Sequence, residues 1–299
     1  MSTRVAVVDL GSNSTRLLVA DLHADGRIDE LERRSTVTRL GQGVDTAHAL
    51  APDAMERVYA TLADYRQAID AHHADVAIGV LTSAVRDAGN GAEFTRTVNQ
   101  RFGIAARTIP GEEEARLTYL GATSEHTSDE ATAVIDVGGG STEIIVGAGK
   151  KLRFHVSTQV GVVRHSERHL HDDPPTAPQL AALREDAAAT FAEQVPRDLG
   201  ARAGIAVAGT ATQSAAMLRA DRLRRDALDD LLAHLAILPL AERRVVPGLD
   251  PDRAPTIVAG LAILLEAMAA LGLAAVDASD NDILRGAVLE HRAFLEPRA

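Results

Sequence analysis

Short apolar runs of strand length alternate with longer segments whose apolar residues recur at helical spacing. Met55, Val58, Leu62 and Ile69, for example, share one face of a helix that begins at Pro52. The order of the runs, three strands and then alternating helices and strands, indicates an α/β fold. The predicted elements are strands over 4–10, 15–21 and 28–38, a loop over 40–44, a helix over 52–71, a strand over 75–81, a loop over 82–90, a helix over 92–102 and a strand over 104–109.

A second set of elements follows a break at Pro110-Gly111 and repeats this plan. The predicted elements are a helix over 112–124, strands over 132–137, 142–146 and 151–160, helices over 161–169 and 178–195, a strand over 205–208, a turn over 209–212 that leads into a helix, helices over 225–237, 240–244 and 255–271, a strand over 273–278 and a helix over 283–294.

A glycine-rich stretch between two apolar runs gives the clearest chemical signal. Asp136 ends the first run, Gly138, Gly139 and Gly140 follow, and Ser141, Thr142 and Glu143 open the second run. Without a Cβ, glycines let the main chain approach a ligand and point successive N–H groups at phosphate oxygens. The flanking carboxylates are the hard oxygen donors that magnesium takes together with substrate phosphates. The pattern predicts a phosphate and metal site in a strand–turn–strand unit.

The same pattern occurs earlier, at an offset of 127 residues from Asp9 to Asp136. Carried along the chain, the offset also places Thr82-Ser83-Ala84 on Gly209-Thr210-Ala211, each after a short apolar run. A repeat of this length exceeds a solenoid unit and indicates a duplicated domain. We therefore expect two like domains that present their glycine turns to each other across a cleft. Two ordinary hairpin turns are the alternative, which the constant offset disfavours.

Composition excludes several classes of protein. The chain of 299 residues is 46% hydrophobic and has no cysteine, so thiol catalysis, disulfides and thiolate metal sites are ruled out. The net charge of −11 argues against a general nucleic-acid surface, although local fields can still favour a polyanionic substrate. No basic leader with a hydrophobic stretch and no membrane-spanning run is apparent, so a cytoplasmic protein is expected.

Three further features allow more than one interpretation. Glu112-Glu113-Glu114 suit the first turn of a helix, where acids complement the dipole, but one of them could also act as a general base over the cleft. His165 and His169 share a helix face, yet no third ligand stands at a suitable spacing, so surface or capping roles are favoured over a transition-metal site. A serine nucleophile is disfavoured because Ser141 leads into a strand rather than a helix.

Four motifs stand out along the chain: residues 8–14 (Val-Asp-Leu-Gly-Ser-Asn-Ser), 82–90 (Thr-Ser-Ala-Val-Arg-Asp-Ala-Gly-Asn), 109–116 (Ile-Pro-Gly-Glu-Glu-Glu-Ala-Arg) and 134–143 (Val-Ile-Asp-Val-Gly-Gly-Gly-Ser-Thr-Glu). Together they resemble the exopolyphosphatase and guanosine pentaphosphate phosphatase (Ppx/GppA) family, within the actin, Hsp70 and sugar-kinase superfamily. The resemblance implies two duplicated ribonuclease H-like domains, one over 1–116 and one over 117–299. It also implies that the final helix, about 287–299, packs back on the first domain.

The resemblance also assigns roles to residues. Glu114 would be the general base that activates water, and Arg86 would pair with a phosphate. Magnesium, which manganese can replace, would be held by Asp136 and Glu143 with help from Asp9; a monovalent cation is left open. The implied phosphate-binding residues are Gly11, Ser12, Asn13, Ser14, Gly138, Gly139, Gly140, Ser141, Gly209 and Thr210.

Two departures from the family pattern qualify the comparison. Pro110 stands where serine is common, which removes an N–H and a hydroxyl beside the helix that carries Glu114. The chain also corresponds to a short form without the C-terminal helical domain of longer members, so we expect it to lack the functions of that domain, including its grip on long polymers.

The implied reaction is phosphoryl transfer to water, in which positioning and charge neutralisation supply most of the catalysis. Release of orthophosphate from inorganic polyphosphate is the preferred reaction. The alternatives are hydrolysis of guanosine pentaphosphate or another nucleotide, a kinase of the same superfamily, and a phosphate- or nucleotide-binding regulator. A homodimer is expected from the resemblance, and neither a nucleic-acid nor a membrane partner is expected.

Overall fold

The structure, a computed structural model, describes residues 2–125, 130–149 and 151–291. It divides into two compact units. The first unit holds the residues up to Gly121 together with those from Ile283 onwards, and the second unit is Ala122–Asp282. The boundary expected from the sequence, after residue 116, falls inside a helix that runs from Gly111 to Ala122.

The first unit is built on a mixed sheet with the strand order β3-β2-β1-β4-β5. The first three strands in the chain pair antiparallel, and the next two add in parallel beside β1. Its elements in chain order are β1 (Ser2–Leu10), β2 (Ser14–His23), β3 (Ile28–Val37), α1 (Val44–Ala47), α2 (Pro52–Ala71), β4 (Val76–Leu81), α3 (Ser83–Asp87), α4 (Gly91–Phe102), β5 (Ala105–Thr108) and α5 (Gly111–Ala122).

Two short helices of this unit correct the sequence-based assignment. Residues 82–90 were expected to form a loop, but α3 occupies part of it, with the Thr82 carbonyl accepting the N–H groups of Val85 and Arg86. The helix α1 likewise begins at Val44, within the loop expected over 40–44. A helix of one turn has too few residues to establish a hydrophobic period, so the pattern could not reveal either of them.

The second unit repeats this arrangement in a sheet of order β10-β11-β9-β6-β7-β8. Sequence reasoning missed β10, a strand of three residues at the sheet edge. The elements are β6 (Thr132–Val137), β7 (Thr142–Ala148), β8 (Lys151–Thr158), α6 (Val162–His169), α7 (Ala177–Gln194), β9 (Ala203–Val207), α8 (Ala208–Leu218), β10 (Arg222–Arg224), α9 (Arg225–Ala236), α10 (Leu240–Arg243), α11 (Ile257–Ala270) and β11 (Ala275–Ala278).

The predicted duplication is confirmed by the order of the strands. In each unit an antiparallel meander of three strands is followed by a parallel strand beside the first strand of the meander, which gives β3-β2-β1-β4 and β8-β7-β6-β9. The glycine turns occupy equivalent places, between β1 and β2 and between β6 and β7. Both units therefore have the ribonuclease H-like fold predicted for them.

Each unit has its own apolar core. In the second unit α11 is buried on nearly every side, and Leu183 and Phe191 of α7 belong to the same core cluster. The first unit includes α12 (Ile283–Leu289), whose Leu284 shares a cluster with Val5 and Val7 of β1. The expected packing of a final helix over 287–299 can be followed only to His291, because residues 292–299 lie outside the described residues. None of the helices formed by the described residues is both long and apolar enough to cross a bilayer.

Candidate active site

The glycine turn of the first unit is held by main-chain hydrogen bonds. The Gly11 N–H donates to the Ser14 carbonyl over 3.0 Å, which closes the turn between β1 and β2. The Asn13 carbonyl accepts the N–H groups of Thr38 at 3.0 Å and Arg39 at 2.9 Å. Ser12, Asn13 and Ser14 are all buried. The turn is therefore held both by a hydrogen bond within it and by hydrogen bonds from the segment that follows β3.

Helix α3 is joined to this turn by one side chain. The Ser12 hydroxyl accepts the Ala84 N–H over 3.2 Å, although the two residues are far apart in the sequence. Arg86 lies in the last turn of α3. The segment predicted from the 127-residue offset is thus placed beside the turn predicted to bind phosphate.

Glu114 is the buried member of the three consecutive glutamates. Glu112 is exposed, Glu113 pairs with Arg107, and Glu114 is only 7% exposed. Its Oε2 atom accepts from Arg86 Nη1 over 2.8 Å, and its N–H donates to the Pro110 carbonyl. All three glutamates lie in the first turn of α5, and Glu114 pairs with Arg86 of the segment over 82–90.

Arg86 makes a second contact that sequence reasoning did not foresee. The same Nη1 atom donates to the Ile109 carbonyl over 3.0 Å. Arg86 therefore ties α3 both to Glu114 and to the chain just before α5. In this structure it positions the predicted base.

Asp9 is paired with a residue that the motif did not indicate. It lies directly opposite Arg16 across β1 and β2, and its Oδ2 accepts from Arg16 Nε at 2.8 Å and Nη2 at 2.6 Å. Both side chains are largely buried. Arg16 therefore balances the charge of Asp9, one of the three predicted metal ligands.

The equivalent turn of the second unit has the same main-chain closure. The Gly138 N–H donates to the Ser141 carbonyl over 2.9 Å. Gly161, at the start of α6, lies against this turn, and a Cβ added to it would come within 2.4 Å of the Gly139 carbonyl oxygen. Arg164 Nε also donates to the Gly140 carbonyl over 3.0 Å. The start of α6 therefore packs against the predicted phosphate-binding turn and helps to fix its position.

Asp136 and Glu143 lie directly opposite each other on β6 and β7. Residues opposite each other in an antiparallel pair project from the same face, so the two carboxylates are neighbours. Both are buried, and the Ser157 hydroxyl donates to Glu143 Oε1 over 2.7 Å. Because two like charges in this position repel each other, the donor set suits a hard divalent cation.

Gly209 and Thr210 lie in the first turn of α8, not in a turn before the helix as predicted. A Cβ on Gly209 would come within 1.7 Å of Arg253 Nη1, so only glycine allows this guanidinium to approach. Arg253 had no sequence signal, because it lies between α10 and α11, outside every motif. The N-terminal end of a helix is a favourable place for an anion such as phosphate.

The structure also places the histidines of α6, for which surface or capping roles were favoured. His165 is buried, and both His165 and His169 face Asp186 of α7. The carboxylate that faces both histidines comes from another helix, seventeen residues beyond His169, where spacing along one helix could not reveal it.

The candidate residues form one group in each unit. Asp9, the turn over 11–14, Arg86 and Glu114 belong to the first unit. Asp136, Glu143, the turn over 138–141 and the pair Gly209 and Thr210 belong to the second. The cleft expected between the halves stays a prediction.

These features define an α/β protein of duplicated ribonuclease H-like fold whose two glycine turns are each flanked by a buried carboxylate. The Ppx/GppA phosphatase family model matches residues 18–291. Exopolyphosphatase 2 of Mycobacterium tuberculosis is 34% identical over 96% of this chain and 98% of its own length.

Solved structures give the same result. A crystal structure of an exopolyphosphatase-like protein is 32% identical, with a TM-score of 0.90 over 99% of both chains. The Ppx/GppA family member of Aquifex aeolicus is 26% identical, with a TM-score of 0.80 over 100% of both chains. The chain belongs to the Ppx/GppA phosphatase family, as its motifs predicted, and is a hydrolase of phosphoric anhydrides.

Proposed function

We propose that this chain is an exopolyphosphatase, which releases orthophosphate from the end of inorganic polyphosphate with Glu114 as the general base. The family and the named relative from Mycobacterium tuberculosis support the reaction class. The observation that carries the mechanism is the burial of Glu114 beside Arg86 in a segment joined to a glycine turn. An ionised carboxylate in a fixed position is what a general base requires.

The chain's own groups divide the work. Glu114 accepts a proton from a water molecule, whose oxygen bonds to the terminal phosphorus while the bridging P–O bond breaks. Orthophosphate and a chain shorter by one phosphate are the products. Arg86 holds Glu114 and stabilises charge on the transferring group. The main-chain N–H groups and hydroxyls of the turns over 11–14 and 138–141 bind phosphate oxygens.

Magnesium is proposed as the cofactor, with manganese as a substitute. Asp136 and Glu143 fit it, because two buried carboxylates project from one face of adjacent strands. Asp9 is a weaker ligand, since Arg16 already balances its charge. When bound, the ion would neutralise charge on phosphate oxygens. Gly209 and Thr210 add a helix N-terminus for phosphate, and Arg253 is a further candidate contact.

The substrate is tested with a panel of short and long polyphosphate, guanosine pentaphosphate, ATP and ADP. We expect the largest turnover on polyphosphate, and we expect chelation of magnesium to abolish it. Faster turnover of guanosine pentaphosphate would favour the nucleotide alternative. Transfer to an acceptor hydroxyl would favour a kinase, and binding without turnover would favour a regulator.

Replacing the proposed base tests the mechanism separately. We expect Glu114→Gln to lower kcat by about 10²–10⁴-fold, because general base catalysis contributes about that much. Glu112→Gln is the matched control: it lies in the same turn of α5 but is exposed, and it should retain wild-type turnover. Equal activity in the two variants would remove Glu114 from this role. A homodimer remains an expectation from the resemblance, and a cytoplasmic location remains an expectation from the sequence.

A further inference from the structure

Two histidines and an aspartate converge between α6 and α7 of the second unit. His165 and His169 are one helical turn apart on α6, and Asp186 lies on α7. The His169 Nε2 atom is 2.8 Å from Asp186 Oδ2, and the His165 Nε2 atom is 3.5 Å from the same oxygen. The ligand atoms of the three side chains all lie within 4.8 Å of one another.

His165 is the buried member of the cluster, and neither secondary structure nor packing explains why an imidazole is buried there. Its side chain is 1% exposed, and no hydrogen-bond partner for its Nε2 atom is found among the described residues. Buried polar atoms are usually hydrogen-bonded, so each exception needs an explanation.

Asp186 is suited to complete such a site. Its Oδ2 atom is within reach of both imidazoles, at 2.8 Å from His169 Nε2 and 3.5 Å from His165 Nε2. Arg168, which also contacts Asp186 Oδ2 at 3.1 Å, has a side chain 42% exposed and can turn to solvent when a cation takes its place.

We propose that His165, His169 and Asp186 form a binding site for a divalent transition metal, with Zn²⁺ as the best match. Two imidazoles and a carboxylate form a common ligand set for zinc, whereas magnesium prefers oxygen ligands alone. Ligand atoms on a tetrahedral zinc ion lie about 3.4 Å apart. The His165–Asp186 separation already fits this spacing, and the His169–Asp186 pair would open by roughly 0.6 Å.

Zinc bound at this site would affect the position of the predicted phosphate-binding turn over 138–141. The His165 Nδ1 atom accepts a long contact of 3.4 Å from the Gly161 N–H. A metal on Nε2 requires the ring proton on Nδ1, and this contact is then lost. Gly161 lies against Gly139 and Gly140. Zinc binding would thus alter the contacts of Gly161, which packs against the turn over 138–141, while the proposed magnesium ligands stay free of zinc.

The test is zinc binding to full-length protein that has been stripped of metal and then supplied with excess magnesium, which occupies the oxygen-rich site. Competition with a chromophoric chelator measures stoichiometry and Kd. We expect one zinc per chain and a rise in Tm of roughly 5 °C at a hundredfold excess over Kd. Asp186→Asn and His169→Gln should each weaken binding by at least about tenfold, since changes outside the ligand shell alone cost about 10–100-fold.

Two neighbouring substitutions serve as controls. Glu185→Gln changes an exposed acid beside Asp186, and His171→Gln changes an exposed histidine just after α6. Both should bind zinc like the wild type. Circular dichroism and Tm without metal show whether each variant is folded. The proposal is overturned if zinc fails to bind at micromolar concentration, or if folded Asp186→Asn and His169→Gln bind it as tightly as the controls do.

Discussion

Asp9 and Asp136 occupy equivalent positions in the two halves, but their cross-strand neighbours differ in charge. Arg16 faces Asp9, whereas Glu143 faces Asp136. The first pair is an ion pair formed within the protein, and the second brings two carboxylates together. This difference is the reason why the cation site is proposed at Asp136 and Glu143 rather than at Asp9.

The contrast predicts opposite effects of two substitutions. Glu143→Gln should stabilise the protein by about 0.5–1 kcal/mol when magnesium is removed, because it relieves repulsion between directly opposed charges. The same variant should need more magnesium for half-maximal turnover. Thermal unfolding with and without magnesium, together with a magnesium titration of activity, measures both effects.

Arg16→Gln is the comparison variant. It removes the guanidinium partner of the buried Asp9, so it should destabilise the protein by about 2–3 kcal/mol whether or not magnesium is present. If Glu143→Gln also destabilised the metal-free protein, the interpretation of Asp136 and Glu143 as a cation site would be wrong.

At the scale of elements, the junction between β8 and α6 determines the position of a glycine turn. The N–H groups of Val162 and Val163 donate to the carbonyls of Gly138 and Gly139 at 2.9 and 2.8 Å, respectively. These bonds satisfy donors in the first turn of α6 that have no partner inside the helix. The turn and the helix therefore depend on each other.

Gly161→Ala tests this dependence. Its Cβ would come within 2.4 Å of main-chain atoms of Gly139 and Gly140, so the turn must move. We expect a loss of about 1–3 kcal/mol in the free energy of unfolding, as for other overpacked sites, and a fall in turnover. Gly89→Ala is the control, because its Cβ would meet only the His48 carbonyl, at 3.5 Å. For the control, chemical denaturation should show a loss of less than about 0.5 kcal/mol in the free energy of unfolding.

At the scale of the molecule, the last described helix belongs to the first unit. Ile283, Leu284, Ala287 and Val288 of α12 share an apolar cluster with β1 and β2, and Arg116 of α5 pairs with Glu290. The first unit is therefore assembled from both ends of the chain. Its stability depends on contacts between residues that are far apart in the sequence.

Leu284→Ala should therefore destabilise the first unit by about 2–5 kcal/mol, since Leu284 is fully buried. Relative to the wild type, hydrogen exchange should become faster in β1 and β2 of this variant than it does in β6 and β7. Ile237→Ala, at a residue that is 71% exposed, should leave the free energy of unfolding and the exchange rates unchanged. Faster exchange confined to the second unit would contradict the assignment of α12.

Sequence reasoning recovered the long regular elements and missed three short ones. The helix α2 was predicted with the bounds that the structure has, Pro52 to Ala71, because its apolar stripe runs for several turns after a helix-starting proline. The elements α1, α3 and β10 are too short to show a period. Residues whose partners lie on other elements, such as Arg16, Asp186 and Arg253, carried no local signal.

The sequence by itself determined the duplication, the strand–turn–strand units, the glycine turns and the family, because these depend on local patterns and on a constant offset between them. Only the tertiary structure decided which of the three glutamates is buried, which residue faces each aspartate, and that Asp186 meets His165 and His169. These pairings join residues on different strands and helices. They exist only after the backbone has folded, because hydrogen bonds and ion pairs depend on distances that no linear spacing specifies.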